Sequence, residues 1–367
     1  MSQPDLGSER YSRQILFPGI GAAGQKLLAS ARVAVVGVGA TGAAAAALLA
    51  RAGVAHLTLI DRDFVETSNL QRQILFDESD AREALPKAEA ARRHIALFNS
   101  SIHVQPVIAD LIPANIHALL TDAHLILDCT DNFETRYLLN DFSVQNSIPW
   151  IYAAAIGAYA ATMNILPKAP HTDNPKISKK NAPDSAPIYQ PTACLACLFP
   201  TPPTGPAETC DTAGILATAV NLAASVQVTE ALKLLTHQPQ FLRRSLLSFD
   251  LWTGERSEIS TSTPRPSCNV CDARNFTHLA GVDRPHITLC GRNSVQIHEH
   301  HRPLDLPGLY ARLASHPDVQ DLRSNSLLLR FRRGVHSITV FPDGRALVQG
   351  TTDPALARSL YSRFIGS

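Results

Sequence analysis

The chain has 367 residues, 45% apolar and 18% charged, and its 33 Lys+Arg nearly cancel its 32 Asp+Glu to leave a formal charge of +1. That length allows two or three domains, or one large α/β domain with an appendage. With no recurring basic run and 6% aromatic residues, nucleic acid is not an expected partner, and with no uncharged run of about 18 residues a membrane is not expected either.

The opening MSQPDLGSER is polar rather than a basic segment followed by an apolar stretch, so a cytoplasmic location is expected. Seven cysteines, four of them in two C-x-x-C pairs, then point to metal binding and catalysis rather than disulfides. Residues 10–30, RYSRQILFPGIGAAGQKLLAS, predict a short basic start and an apolar-periodic helix, and taken alone Arg10 and Arg13 read as a solvated face.

From Ala31 to Asp61 the sequence predicts a strand, a glycine turn, a helix and a second strand. Gly37, Gly39 and Gly42 stand at G-x-G-x-x-G spacing where the strand meets an Ala-rich helix. The first two glycines let the backbone turn and approach phosphate oxygens, and the third lets helix and strand pack closely. Asp61 ends the second strand, where a ribose-binding carboxylate belongs. Next, TSNLQRQ at 67–73 predicts a loop or short helical turn that aims Asn69, Arg72 and Gln73 at whatever the glycine turn binds. Pro86 before Lys87 marks a helix start.

A third strand is expected over 102–108 and a fourth over 124–129. The fourth ends in DCTDN, which puts Asp128 and Asp131, with Asn132, at the carboxyl edge where open α/β sheets bind ligands; Asp131 also suits a cap for a helix opening at Phe133. PWIYAAAIG and ATMNILP continue the sheet, with antiparallel additions after Gly157. Residues 167–193 read as a long loop, followed by Cys194 and Cys197, then by the Pro-rich FPTPPTGPAET that delivers Cys210. DTAGILATAVNLAASVQVTEALKLL predicts a long helix, buried or subunit-facing because Asn221, Gln227 and Glu230 interrupt its apolar residues. A thiol at its start, such as Cys210, would be favoured as thiolate by the helix dipole. Strands SLLSFD and RSEIST lead to Cys268 and Cys271, and from about residue 280 a small α+β module is expected: two strands, a helix, strands SLLLRF, HSITVF and ALVQG, and a last helix.

The two C-x-x-C pairs, with 70 residues between them, can close a four-thiolate site. Zinc is the favoured ion; spacing alone leaves an iron–sulfur cluster open. The glycine turn, Asp61, Asn69, Arg72, Gln73, Lys87 and Asp131 gather fixed cations and a magnesium-suited carboxylate around phosphates. Hydride transfer needs little positive charge beyond a pyrophosphate, so the set favours phosphoryl chemistry with ATP, attacked at its α-phosphate. Without G-K-[ST] the turn is no Walker loop.

RYSRQ at 10–14, GVGATG at 37–42, DRDFVETSNLQRQ at 61–73, PKAE at 86–89, DCTDN at 128–132, both C-x-x-C pairs and TCDTAG at 209–214 together resemble the ubiquitin-activating-type adenylyltransferases. Within them the chain is similar to the ThiF/MoeB (HesA) family of thiazole and molybdopterin biosynthesis, over about residues 8–272. The resemblance implies a Rossmann-like mixed sheet flanked by helices, an adenylyltransferase domain over 1–275 carrying a structural zinc site at 194–271, and an α+β module over 280–367. It implies a homodimer that uses ATP and magnesium to adenylate the C-terminal glycine of a ubiquitin-like sulfur-carrier protein ending in Gly-Gly. By motif, Asp61 holds the ribose, Asn69, Arg72 and Lys87 contact phosphates, Asp131 binds magnesium, and Arg13 reaches the other subunit's site. Gly37, Gly39, Gly42, Gln73 and Asn132 complete the nucleotide pocket, and Cys210 matches a cysteine that links covalently to the carrier. The C-terminal module does not resemble a rhodanese domain, so sulfur is expected from a cysteine desulfurase or another donor. The competing expectations are an NAD-dependent oxidoreductase and a non-catalytic nucleotide-binding scaffold.

Overall fold

The computed structural model describes residues 9–168, 189–201, 213–281, 288–289, 294–297 and 303–366. They fall into two compact units, which divide between Val282 and Asp283. In the first unit a short helix α1 (Ser12–Ile15) and α2 (Gly21–Leu28) precede β1 (Arg32–Val36), α3 (Ala40–Ala52) and β2 (His56–Ile60). A 3-10 turn at Thr67–Asn69 and α4 (Glu78–Glu83) lead to α5 (Lys87–Phe98), β3 (His103–Val107), α6 (Ile116–Leu120), β4 (Leu125–Asp128) and α7 (Phe133–Asn146). Then follow β5 (Trp150–Ile156), β6 (Tyr159–Ile165), α8 (Leu195–Leu198), α9 (Ala217–Leu235), β7 (Ser245–Asp250), β8 (Arg256–Ser260) and α10 (Thr277–Ala280).

The eight strands form one sheet in the order β3-β2-β1-β4-β5-β6-β7-β8. Pairing is parallel from β3 to β5 and antiparallel from β5 to β8, as the sequence predicts after Gly157. Alternate β1 residues serve opposite faces: Val33 and Val35 pack with α3, α5 and α9, whereas Ala34 and Val36 pack with α6 and α7. A strand covered on both sides needs a continuous apolar run, and RVAVV supplies one. The run of small residues from Ala43 to Ala46 is fully buried and lets α3 lie close to its neighbours. The edge strand β8 is exposed throughout and carries Arg256 and Glu258, charges that discourage edge-to-edge pairing.

Helix α9 begins at Ala217, six residues later than the predicted start at Asp211. The intervening Ile215 instead bridges Gly157 beside the sheet. Its predicted burial is intramolecular: Gln227 Nε2 donates to the Asp128 and Ile151 carbonyls at 2.8 and 2.7 Å, and the Glu230 carboxylate accepts from Asn164 Nδ2 at 2.6 Å.

The second unit has its own antiparallel sheet, ordered β11-β12-β13-β14-β10-β9. Its elements are β9 (Thr288–Leu289), β10 (Ser294–Ile297), α11 (Leu306–Ala314), β11 (Gln320–Ser324), β12 (Leu329–Arg333), β13 (His336–Val340), β14 (Ala346–Gln349) and α12 (Pro354–Phe364). Leu309 and Leu313 of α11 and Leu360 and Phe364 of α12 share a core with Phe331, Ile338 and Val348 of the sheet. Strand β11 is unanticipated; QDLRS has one apolar residue, Leu322, and forms an edge.

Helix α7 carries a buried polar strip at i, i+4 spacing. Within it, Asp141 Oδ2 accepts the N–H groups of His278 and Leu279 at 2.9 and 3.4 Å, while Oδ1 has no hydrogen-bond partner among the described residues. Burial pushes this carboxyl up from 3.8 to about 6, against the two N–H bonds that hold it down. The folded chain therefore binds this proton more tightly than the unfolded chain, and the site's contribution to stability falls as pH rises from 3.8 through about 6. Asp141→Asn removes that cost. It should raise stability at pH 7 by up to about 3 kcal/mol, and the gain should disappear near pH 4; urea unfolding of both proteins at the two pH values measures it, and a gain independent of pH would refute the titration.

Candidate nucleotide and metal sites

At the carboxyl ends of β1 and β4 three stretches of backbone meet with no room between them. Gly37 has φ +83°, and a Cβ there would stand 2.8 Å from the Cys129 carbonyl oxygen. A Cβ on Gly42 would lie 1.8 Å from the Gly37 carbonyl oxygen. Gly39 is different: its nearest neighbour is Gln73 Nε2, 3.9 Å from where a Cβ would be, so the backbone there is open to a ligand. Gln73 is buried, and its Oε1 has no hydrogen-bond partner among the described residues. An orphaned amide oxygen beside an open glycine turn suits a nucleotide.

Asp61 braces this turn. Its Oδ2 accepts from Val38 N–H at 2.6 Å and its Oδ1 from Asp63 N–H at 2.7 Å. Burial pushes the Asp61 carboxyl up and neighbouring Lys87 pulls it down, with burial prevailing. Each oxygen keeps a second acceptor position. Lys87 is 2% exposed at the first turn of α5, and its Nζ pairs with Asp63 Oδ2 at 3.1 Å. A phosphate would have to share this cation with Asp63. Asn69 is buried and closes the 3-10 turn, with Oδ1 accepting from Glu66 N–H at 3.2 Å. Arg72 is half-buried and donates to the Ser68 carbonyl at 2.9 Å.

At the β4–α7 turn the alternative reading of Asp131, as a helix cap, is not met. Asn132, not Asp131, caps α7, its Oδ1 accepting from Thr135 N–H at 2.9 Å. That leaves Asp131 exposed at the sheet edge. One exposed carboxylate beside the open glycine turn fits magnesium, which is commonly held by one or two carboxylates together with phosphate oxygens and water.

Arg136 and Asp128 escaped the sequence reading as a pair. Asp128 is fully buried and its Oδ2 lies 3.3 Å from Arg136 Nε. Burial pushes the Asp128 carboxyl up, and the guanidinium opposes it. The available signal was an arginine in the first turn of a helix that carries further polar residues, Asn140 and Asp141, among its buried positions. Arg13 is exposed on α1 and makes no hydrogen bond among the described residues. Cys210 lies outside the described residues.

The four cysteines of the two pairs do converge. Sγ atoms of Cys194 and Cys197 are 3.8 Å apart, Cys194 and Cys268 3.7 Å, and Cys197 and Cys271 3.5 Å. A zinc ion with Zn–S of about 2.3 Å needs tetrahedral edges of about 3.8 Å. The spacing thus fits one tetrahedral ion and leaves no space for the irons and sulfides of a cluster. Burying four thiolates together also requires a cation among them. Backbone supports the ligands: Arg265 N–H donates to Cys197 Sγ at 3.3 Å, and Asn140 Oδ1 holds the Leu195 N–H at 2.8 Å. Zinc here would supply a structural staple, joining the chain before and after β7 and β8.

Residues 11–270 match the ThiF family. The chain is 41% identical over 360 residues to the sulfur carrier protein ThiS adenylyltransferase of Bacillus subtilis, covering 97% of this chain and 99% of that one. It is 37% identical over 262 residues to the molybdopterin-synthase adenylyltransferase of Salmonella typhimurium, covering 71% of this chain and 95% of that one. Among solved structures it is similar to Escherichia coli MccB with ATP, with a TM-score of 0.57 and 22% identity over 71% of this chain and 74% of that one, a likeness of fold alone.

The thiolate geometry predicts one zinc per chain by elemental analysis. Cys268→Ser should abolish it and lower thermal stability before activity is considered, because binding free energy at a closed site is folding free energy. Unchanged zinc in that variant would remove the assignment.

Proposed function

Since the chain belongs to the ThiF family, we propose that it adenylates the C-terminal glycine carboxylate of a ubiquitin-like sulfur-carrier protein, in thiazole biosynthesis. The observation that carries this reading is the extent of the match to the ThiS adenylyltransferase, which runs through the second unit to 97% of the chain, whereas the molybdopterin relative matches 71%. A carboxylate oxygen of the carrier attacks the α-phosphorus of ATP, the bond from that phosphorus to the bridging oxygen of the leaving group breaks, and pyrophosphate departs; no proton changes hands.

The chain's own residues supply position and charge. The glycine turn presents backbone N–H groups at the start of α3, where a helix N-terminus favours phosphate. Asp61, braced by Val38 and Asp63, offers its remaining acceptor positions to the ribose. Asn69, Arg72 and Lys87 meet the phosphates, with Gln73 and Asn132 lining the pocket. Asp131 would hold magnesium, which when bound would supply neutralisation of charge on the phosphates. In a homodimer the exposed Arg13 reaches the site of the other protomer. Cys210 acts after adenylation, on the activated carrier, with sulfur delivered by a cysteine desulfurase or another donor. No helix among the described residues is long and apolar enough to cross a membrane.

ATP–pyrophosphate exchange should depend on a carrier ending in Gly-Gly and should be supported better by a thiazole-type than by a molybdopterin-type carrier. Asp131→Ala should slow it by roughly 100-fold, the scale of losing one transition-state charge partner. No exchange with either carrier would reject the reading, and hydride transfer to NAD in its place would support the oxidoreductase. Cys210→Ala should exchange at the unmodified rate yet fail to yield carrier thiocarboxylate when the sulfur donor is present; thiocarboxylate at the normal rate would deny the thiol an essential role.

A further inference from the structure

Residue 130 is held on three of its atoms. Asp128 Oδ1 accepts from Thr130 N–H at 3.0 Å and from its Oγ1 at 2.7 Å. On the other side Arg136 Nη2 donates to the Thr130 carbonyl at 2.6 Å. The same Nη2 reaches the Ala153 carbonyl on β5 at 3.2 Å, and the guanidinium carbon lies 4.8 Å from the Tyr152 ring centroid and 5.3 Å from that of Phe133. Strand, rings and carboxylate therefore fix the guanidinium, and the guanidinium fixes the peptide that leads into Asp131.

Stability does not explain this arrangement. A buried ion pair roughly breaks even against apolar residues of the same volume, and Asp128 with Arg136 is nearly sealed from solvent. An apolar pair, however, could not donate to the Thr130 carbonyl. Burial opposes the charge on the Arg136 guanidinium, but the neighbouring carboxylates Asp128 and Asp131 outweigh it and keep the group protonated, so the donor is permanent.

We propose that Arg136 is a positioning residue, which sets the Asp131 carboxylate for its metal by clamping the Thr130 carbonyl. The inference rests on reading Asp131 as the magnesium ligand. Arg136→Lys keeps a positive charge against Asp128 but loses the planar fork that serves Asp128 and Thr130 together.

Manganese, followed by its paramagnetic resonance signal, stands in for magnesium. Arg136→Lys should weaken binding of manganese–ATP by about tenfold, the lower end of the cost of disturbing a ligand's support. Binding of ATP without divalent metal, to the glycine turn, should stay within about twofold of the unmodified protein, as should an intact melting transition attest the fold. Asp131→Ala serves as the reference and should lose manganese–ATP binding at least as strongly. If Asp131→Ala weakens the metal complex and Arg136→Lys does not, the positioning role is overturned while the ligand assignment stands. If Asp131→Ala binds normally, the ligand assignment fails and the inference falls with it. Equal loss of ATP with and without metal in Arg136→Lys would mark a general structural role and overturn the proposal. Should the lysine variant not fold, Asp128→Asn combined with Arg136→Met buries no charge and permits the same comparison.

Discussion

Everything at the candidate site depends on a steric constraint where β1 and β4 end. These strands are neighbours in the sheet although 92 positions separate the paired Val33 and Leu125, so their following loops turn away to opposite faces and open a crevice. The crevice forms only because Gly37 and Gly42 let three backbone segments touch. With a Cβ at Gly42 forced to within 1.8 Å of a carbonyl oxygen, helix α3 would have to withdraw from the strand. Its N-terminus would then move away from any phosphate, and Asp61 would lose the Val38 N–H that it braces.

A second dependence runs along α7. At one end Arg136 grips the turn that bears Asp131. The next residue, Tyr137, donates its hydroxyl to the Phe199 carbonyl at 2.7 Å, and one turn on Asn140 holds the Leu195 N–H, both beside the first cysteine pair. Asp141 receives the chain that follows the second pair. One helix face thus joins the nucleotide edge of the sheet to the four-thiolate site. From the opposite face Gln227 of α9 ties the last carbonyl of β4, at Asp128, to the Ile151 carbonyl near the start of β5. The sheet edge is consequently held from both layers by side-chain amides and a guanidinium, where hydrophobic packing alone would leave its register unspecified.

What could be read from the sequence was whatever local spacing dictates. Glycines at 37, 39 and 42, the paired cysteines and the acids of DCTDN owe their meaning to neighbours a few positions away, and the structure assembles them at one edge or in one cluster. The parallel-to-antiparallel change after Gly157 was also legible, from a tight turn between adjacent apolar strands. Partnerships across the fold were not. Arg136 with Asp128, Lys87 with Asp63 and Gln227 with two strand carbonyls are formed by tertiary approach, and a polar residue on a helix gives no sign of which backbone group it will meet. Strand β11 was missed because an edge strand needs only one apolar contact, and the onset of α9 because Ile215 joins the sheet margin before the helix begins.

Zinc at the four thiolates would have a consequence for the order in which the protein is made. Cys194 and Cys268 are 74 residues apart, a distance that a ribosome covers in roughly 4–15 s. Every strand from β1 to β6 precedes the first cysteine pair, so the crevice between β1 and β4 is fully encoded before either pair emerges. During that interval Cys194 and Cys197 stand as a half-site, a vicinal dithiol open to oxidation or to capture by a two-coordinate metal. Only when β7 and β8 have followed do Cys268 and Cys271 arrive to exclude such competitors. A metal that needs all four thiolates would therefore enter a nascent chain in which the strands on either side of the crevice are already laid down, which would make its loading a late step of biogenesis.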